Sequence, residues 1–273
     1  MRKIHFSIMS LIIIGVMWVS CASDDTELDP ENVLTELPAA FAVFDQDNTI
    51  IMLDGDEIVI ESNGLPNHTS PYWSNTTARQ ATDPMGNVLV TEAASSNHEL
   101  FASPIATTFE QMAPGNIDDF NGSYSLTVPA IPTKALSSSA TGLGPIGIAV
   151  SGAMIYNDEE GPNVPLDDAA PSLDYNGAHT GPQSYHYHLE PEAWSQDDDE
   201  LIGIMADGFF LYGRKCPSTS TYPTDLDVSG GHTSTTKYND EEEYHYHIEN
   251  ELYLNQYYIL FPGDYQGTAN AIN

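Results

Sequence analysis

The chain has 273 residues, 41% of them hydrophobic, with 40 acidic against 7 basic side chains and a formal net charge of −33. That length allows one large β domain or two small ones. A surface of this sign repels nucleic-acid phosphates and anionic membranes and draws cations, so no nucleic-acid partner is expected.

Residues 1–20 read as a secretory signal. Arg2 and Lys3 form its basic end, and residues 8–19 are almost all apolar. The run is too short and too early for an ordinary spanning helix. It ends at Ser20-Cys21, with Ala22-Ser23-Asp24-Asp25 next. This junction resembles a bacterial lipoprotein signal, with Trp18 standing where such signals usually carry leucine. The resemblance implies that Cys21 becomes the acylated first residue. It also implies a lipid anchor to the cell envelope, at the outer membrane and extending to surface exposure; plain secretion is the alternative. Residues 21–40 are acidic and proline-punctuated, the composition of a flexible tether. A β domain is then expected over residues 41–273.

Residues 41–47 and 49–53 are short apolar runs. With the turn residues Asp54-Gly55-Asp56 and then Ile58-Val59-Ile60, they read as a hairpin. Ser62-Asn63-Gly64-Leu65-Pro66 breaks the strand, and His68 follows in a loop with Tyr72 and Trp73, placed to line a site. Residues 75–97 are irregular apart from a possible strand at 88–90, and His98 has no partner at ligand spacing. Residues 123–128 alternate as a strand and stop at Pro129. Residues 147–156 read as a strand pair bent at Gly152. The acidic stretch Asn157-Asp158-Glu159-Glu160-Gly161-Pro162 lacks the spacing of a helix-loop-helix calcium site and reads as a solvated loop. No stretch carries a sustained helical period. The class is mostly β, a sandwich or barrel of many short strands.

The chemistry concentrates in Tyr185-His186-Tyr187-His188 and Tyr244-His245-Tyr246-His247, which hold four of the nine histidines. In a strand, side chains alternate between faces, so each copy places both imidazoles on one face and both tyrosines on the other. Neutral imidazole is the commonest metal ligand. The surroundings repeat too. Leu173-Asp174-x-x-Gly177-x-His179-Thr180 matches Leu226-Asp227-x-x-Gly230-x-His232-Thr233. Ile146-Gly147-Ile148-x-x-x-Gly152-x-x-Ile155-Tyr156 matches Ile202-Gly203-Ile204-x-x-x-Gly208-x-x-Leu211-Tyr212. The three blocks keep their order at offsets of 53, 56 and 59 residues, which argues for an internal duplication of about 55 residues, with units near 146–190 and 202–249. His179 and His232 add a loop imidazole to each pair. Two arrangements stay open: a three-histidine site in each unit, or one composite site drawn from both.

These words resemble the YHYH-domain family of bacterial extracytoplasmic proteins. The resemblance rests on the paired Tyr-His-Tyr-His, Asp207-Gly208-Phe209-Phe210-Leu211-Tyr212-Gly213, Leu226-Asp227 with Gly231-His232, and Ser62-Asn63-Gly64-Leu65-Pro66-Asn67-His68. It runs over about residues 58–267 and names a motif rather than an activity. Relatives often place cysteine after the Leu-Asp; Tyr175 and Val228 stand there, so no disulfide is implied.

Asp207 stands where the first unit has Ser151, an acid in an apolar setting suited to a general base, a ligand or an orienting acceptor. Asp174 and Asp227 suit the Gly turns that follow them. With Cys21 lipidated, Cys216 is an unpaired thiol, read as partly buried, whose pKa Arg214 and Lys215 would lower if exposed. The acids of Asp240-Glu241-Glu242-Glu243 would raise nearby histidine pKa values. The aromatics Tyr253, Tyr257, Tyr258, Phe261 and Tyr265 read as core. There is no P-loop, dinucleotide fingerprint, Gly-x-Ser-x-Gly elbow or His-Glu-x-x-His. The expected cofactor is a transition metal, copper or zinc. Its ligands are His186, His188, His245 and His247, then His179 and His232, then His68, with Asp207 the catalytic candidate. The function expected is metal binding. The alternatives are a metal-dependent hydrolase or copper oxidoreductase, and a glycan-binding adhesion domain with structural histidines.

Overall fold

Short strands joined by glycine and proline turns make up most of the computed structural model, which describes residues 34–68, 122–169, 173–174, 176–180, 184–191, 194–195, 197–255 and 257–273. The expected signal peptide, Cys21, tether residues 21–33, Tyr72, Trp73, the 88–90 strand and His98 lie outside those residues. Among the described residues, no helix is long and apolar enough to cross a membrane.

The first sheet is the expected hairpin plus one strand: β1 (Thr49–Asp54), β2 (Glu57–Ser62) and β3 (Tyr124–Pro129), antiparallel in that order. Gly55 makes the turn with φ 66°, a region that costs glycine nothing. Ile58, Ile60, Leu126 and Val128 alternate inward and are buried. The apolar run at residues 41–47 adds no strand. Its first part is a 3-10 turn, Ala39–Val43, which places the Phe41 ring 5.2 Å from that of Phe210. Leu34 and Leu37 also pack on the core, and Ala40 is buried, so ordered contacts begin before residue 41.

The remaining strands follow in chain order: β4 (Gly147–Ala149), β5 (Met154–Ile155), the ribbon β6 (Glu159–Gly161) with β7 (Val164–Pro165), β8 (Ala178–Thr180), β9 (Tyr185–Tyr187), β10 (Leu201–Met205), β11 (Phe210–Tyr212), β12 (Gly231–Ser234) and β13 (Glu243–His247). Apart from the ribbon they form one eight-stranded sheet, ordered β12-β13-β11-β10-β4-β5-β9-β8. That order reads alike from either edge. β4 pairs antiparallel with β10 across Ile148 and Ile204. Outward from there, β5 and β11 add antiparallel, β9 and β13 parallel, and β8 and β12 antiparallel. Gly152 and Gly208 make the equivalent bends, at φ 101° and 89°.

Two glycines let the central pair close: a Cβ at Gly203 would meet Ala149 Cα at 2.8 Å, and one at Gly147 would meet the Ile204 carbonyl at 2.8 Å. The two sheets share one core, a sandwich-like arrangement in which Ile60 and Leu126 join Ile148, Ile204, Tyr185, Tyr187 and Tyr246. Side-chain bonds pin the layers together. Asn48 donates to the Ser151 carbonyl at 2.9 Å, and the Ser62 hydroxyl to the Gly152 carbonyl at 2.5 Å. Phe261 and Tyr265 are buried in the same core, as their β-former run suggests. Of the motif tyrosines, Tyr185, Tyr187 and Tyr246 are inward-facing and fully buried, and Tyr244 is partly buried against the same core.

Candidate metal centres

The period-two rule divides each motif between two environments. On the core face, the tyrosine hydroxyls are each given an acceptor. Tyr185 donates to Asp174 at 2.6 Å and Tyr244 to Asp227 at 2.9 Å. Tyr246 donates to Asp207 at 2.6 Å, and Tyr187 shares a 2.9 Å bond with Ser151. Asp174 and Asp227 also accept from the backbone amides of their glycine turns, as expected. Asp207 further accepts from the amides of Gly267 and Phe209. Burial pushes the Asp207 carboxyl up, while these donors oppose it. Asp207 is thus an acceptor within the tyrosine face, removed from the imidazoles by the strand's alternation, and the geometry supports neither a ligand nor a general base there.

His68 corrects a second expectation. It is buried, with Nε2 2.6 Å from the Tyr187 hydroxyl and Nδ1 3.1 Å from Asn176, among the rings of Tyr185, Tyr187 and Trp194. Its hydrogen bond to the hydroxyl of Tyr187 puts it on the core face, apart from the clustered histidines.

On the opposite face the histidines gather. In each unit the loop histidine lies on the neighbouring strand, directly across from the first motif histidine: His179 faces His186, and His232 faces His245. Period two brings in the second motif histidine. A fourth side chain completes each group, giving Glu160, His179, His186 and His188 in one and Cys216, His232, His245 and His247 in the other. Within each group the four ligand atoms lie within 4.8 Å of one another. The closest pairs are His245 Nε2 to His247 Nε2 at 3.1 Å, Cys216 Sγ to His232 Nε2 at 3.5 Å, and Glu160 Oε1 to His188 Nε2 at 3.1 Å and His179 Nε2 at 3.2 Å. A tetrahedron with metal–nitrogen bonds of about 2.0–2.1 Å has edges of roughly 3.3–3.4 Å, so the donor sets fit such an ion. The two histidine groups are separate clusters in the sheet rather than one composite. β9 and β13 are five strand spacings apart, about 24 Å along the sheet at ~4.8 Å each.

The second nitrogen of each ring explains why the first points inward. Nδ1 of His188 lies 2.6 Å from the Asn157 carbonyl and that of His247 2.7 Å from the Gly213 carbonyl. Those of His186 and His245 face the carbonyls of Ser184 and Glu243 at 2.9 and 3.0 Å. A carbonyl only accepts, so each Nδ1 carries the hydrogen, and a neutral ring then presents a bare lone pair at Nε2. His232 Nδ1 donates in the same way to Asp225 at 2.9 Å, an arrangement that orients and strengthens a metal-bound imidazole. Two bare lone pairs at 3.1 Å, as between His245 and His247, repel unless a cation lies between them. His188 Nε2 is buried and has no hydrogen-bond partner among the described residues, with a carboxylate oxygen 3.1 Å away.

A proton is a poor choice for that cation. Burial, and then the neighbouring His247, hold His245 down to about 3. Burial also lowers His186, strongly, as well as His179 and His247. The expectation that the acids of residues 240–243 raise these values is overturned, because desolvation outweighs them. Burial works against ionisation of Glu160, but His179 and His188 outweigh it and hold the carboxyl well below the usual range. For Cys216, burial raises the thiol pKa, yet the hydroxyls of Ser218 and Ser234 and the charge of His232 bring it below its ordinary value. Both shifts run toward the anionic, metal-ligating form.

A family model described as YHYH protein matches residues 125–225. Over these residues the chain is similar to the YHYH family. The match takes in the first Tyr-His-Tyr-His, Glu160, His179 and Cys216. The second motif copy and the word at Ser62 to His68 fall outside it, so the matched stretch is narrower than residues 58–267. No curated protein and no solved structure matches the chain.

Within the matched stretch, Glu160 and Cys216 are the two site residues not expected as ligands. From its acidic run Glu160 reads as part of a solvated loop, and Cys216 reads as a partly buried thiol. Cys216 is fully buried, and the basic neighbours invoked for it turn elsewhere: Arg214 to Glu190 and the Tyr258 ring, Lys215 to Asp197. A signal for both existed. Glu160 is four residues past Tyr156 and Cys216 four past Tyr212. Asn157 and Gly213, whose carbonyls hold the second motif histidines, sit one past the same tyrosines. Carrying the first repeated block four residues further reaches every one of these positions.

Proposed function

We propose that this YHYH-domain chain is a bacterial cell-envelope protein that binds two transition-metal ions, one in each unit of a duplicated fold. The observation that carries the reading is the orientation of the imidazoles. Five of the six clustered rings commit Nδ1 to an oxygen and turn Nε2 toward a shared point that also holds an anionic side chain. The ligand types suit zinc or copper: imidazole fits both, and a thiolate favours zinc or Cu(I). Each centre would have four protein donors, so capture or structural locking of the ion is preferred over catalysis. The acidity of the chain raises the local concentration of cations. The anchor is part of the same proposal, and its support is the basic-apolar leader ending at Ser20-Cys21.

The test is metal content of the purified protein by mass spectrometry after zinc or copper is offered. Two ions per chain are expected, falling to one in His188→Ala, to one in His247→Ala and to none in the combined variant, with β circular dichroism kept. A wild-type protein that retains no stoichiometric ion would sink the proposal.

A further inference from the structure

Resting on the metal-binding reading, we infer that the two centres are not equivalent: the Glu160 centre exchanges its fourth ligand for a small external oxygen- or nitrogen-donor molecule, and the Cys216 centre stays closed. The difference lies in what holds the fourth side chain. Cys216 is 0% exposed. Its backbone closes a tight turn, accepting from the amides of Thr219 and Ser220 and donating to the Thr221 carbonyl. Its sulfur is flanked by the hydroxyls of Ser218 at 3.0 Å and Ser234 at 3.6 Å. A thiolate so enclosed has nowhere to swing.

Glu160 is placed otherwise. It sits on the two-stranded β6–β7 ribbon, outside the eight-stranded sheet, with its side chain 23% exposed. Among the described residues, the polar partners of its carboxylate are the imidazoles of His179 and His188. The three imidazoles beneath it are buried, and His188 and His186 are fixed by backbone carbonyls. If the carboxylate leaves the ion, three buried nitrogen donors remain beneath the partly exposed position it held. Three protein donors with one exchangeable position is the arrangement in which a bound ion takes up water or another small molecule. The step is ligand exchange alone: one metal–oxygen bond to Glu160 breaks, one bond to the incoming donor atom forms, and no electrons are transferred. The ring of Tyr156 stacks on His186 at 3.8 Å and covers one face of that imidazole.

Cobalt(II) reports both centres at once, because a thiolate gives it a charge-transfer absorption and its ligand-field bands respond to coordination. The full protein is loaded with cobalt, the ions per chain are counted, and azide is titrated in. One azide per chain is expected to change the ligand-field bands while the thiolate absorption stays constant. Cys216→Ser should lose the thiolate absorption and keep the azide response. His188→Ala should lose the azide response. Glu160→Ala, which removes the competing carboxylate at an exposed position, should bind azide at least several-fold more tightly. Two cobalt ions with no azide response, a response that follows Cys216, or unchanged azide affinity in Glu160→Ala would overturn the inference while leaving the metal reading intact. Failure to take up cobalt, zinc or copper would remove both.

Discussion

Burial lowers the pKa of His179, His186, His245 and His247, which favours the neutral form that can bind a metal. His245 titrates near 6.5 when exposed and near 3 in the fold. Above pH 6.5 it is neutral in both the folded and unfolded chain, and its contribution to stability is fully present. As pH falls from 6.5 toward 3, the unfolded chain takes a proton that the folded one refuses. Stability then drops by about 1.4 kcal/mol per pH unit for each such histidine. The metal-free protein should therefore lose denaturant resistance steadily from pH 6.5 to 4.5, followed by circular dichroism at each pH. A flat profile across that window would show that these rings are hydrated. On the other face, Tyr246→Phe removes one of the donors that hold the buried Asp207 carboxylate. It should cost ~1–3 kcal/mol in urea unfolding without changing metal content. Loss of metal in that variant would contradict the separation of the two faces.

At this scale the six clustered histidines were legible because period two and the repeated words both point to them. Asp207 and His68 come under the same rule through their partners, Tyr246 and Tyr187. A residue bonded to a motif tyrosine belongs to the face that the histidines leave, but sequence does not show who bonds to whom. Glu160 was hidden by its acidic neighbours, since a run of carboxylates looks like a solvated surface wherever one member turns inward.

Strand pairing carries the histidines into register. Only because β8 lies antiparallel to β9, and β12 to β13, does a histidine from a glycine turn stand opposite the first motif histidine. The centre of the sheet depends on Gly147 and Gly203, where the β4 and β10 backbones close against each other. Gly203→Ala should destabilise the fold by roughly 1–3 kcal/mol, because the atoms a Cβ would meet are backbone and cannot rotate away. Thermal unfolding measures it, and an unchanged midpoint would mean that the β4–β10 contact is looser than the structure has it. The local elements were readable: the hairpin at Gly55, the strand ending at Pro129 and the bend at Gly152 each announce themselves by alternation and turn residues. The parallel pairings of β5 with β9 and β11 with β13 were not. They join segments about thirty residues apart, and nothing local in a two- or three-residue strand marks its partner.

At the scale of the whole molecule, the proposed metal sites would couple ion binding to the fold. An ion bound by residues from β8, β9 and the ribbon ties together segments that the sheet edge alone holds weakly, and binding to the folded state adds stability by mass action. Stripping both ions with a chelator should lower the melting temperature, and restoring zinc should recover it. The envelope anchor is testable apart from the metal: fatty-acid labelling in a bacterial host should mark the chain and vanish in Cys21→Ala. The palindromic sheet order and the matching positions of Glu160 and Cys216 are consistent with the proposed duplication.

The claim that each unit holds its own ion is met most directly by anomalous diffraction at the metal edge from crystals of the loaded protein. The account predicts two peaks per chain, about 24 Å apart along the sheet. One should lie among Glu160, His179, His186 and His188, the other among Cys216, His232, His245 and His247. A single peak between the units, or ions bound only to surface carboxylates with both histidine groups empty, would contradict it.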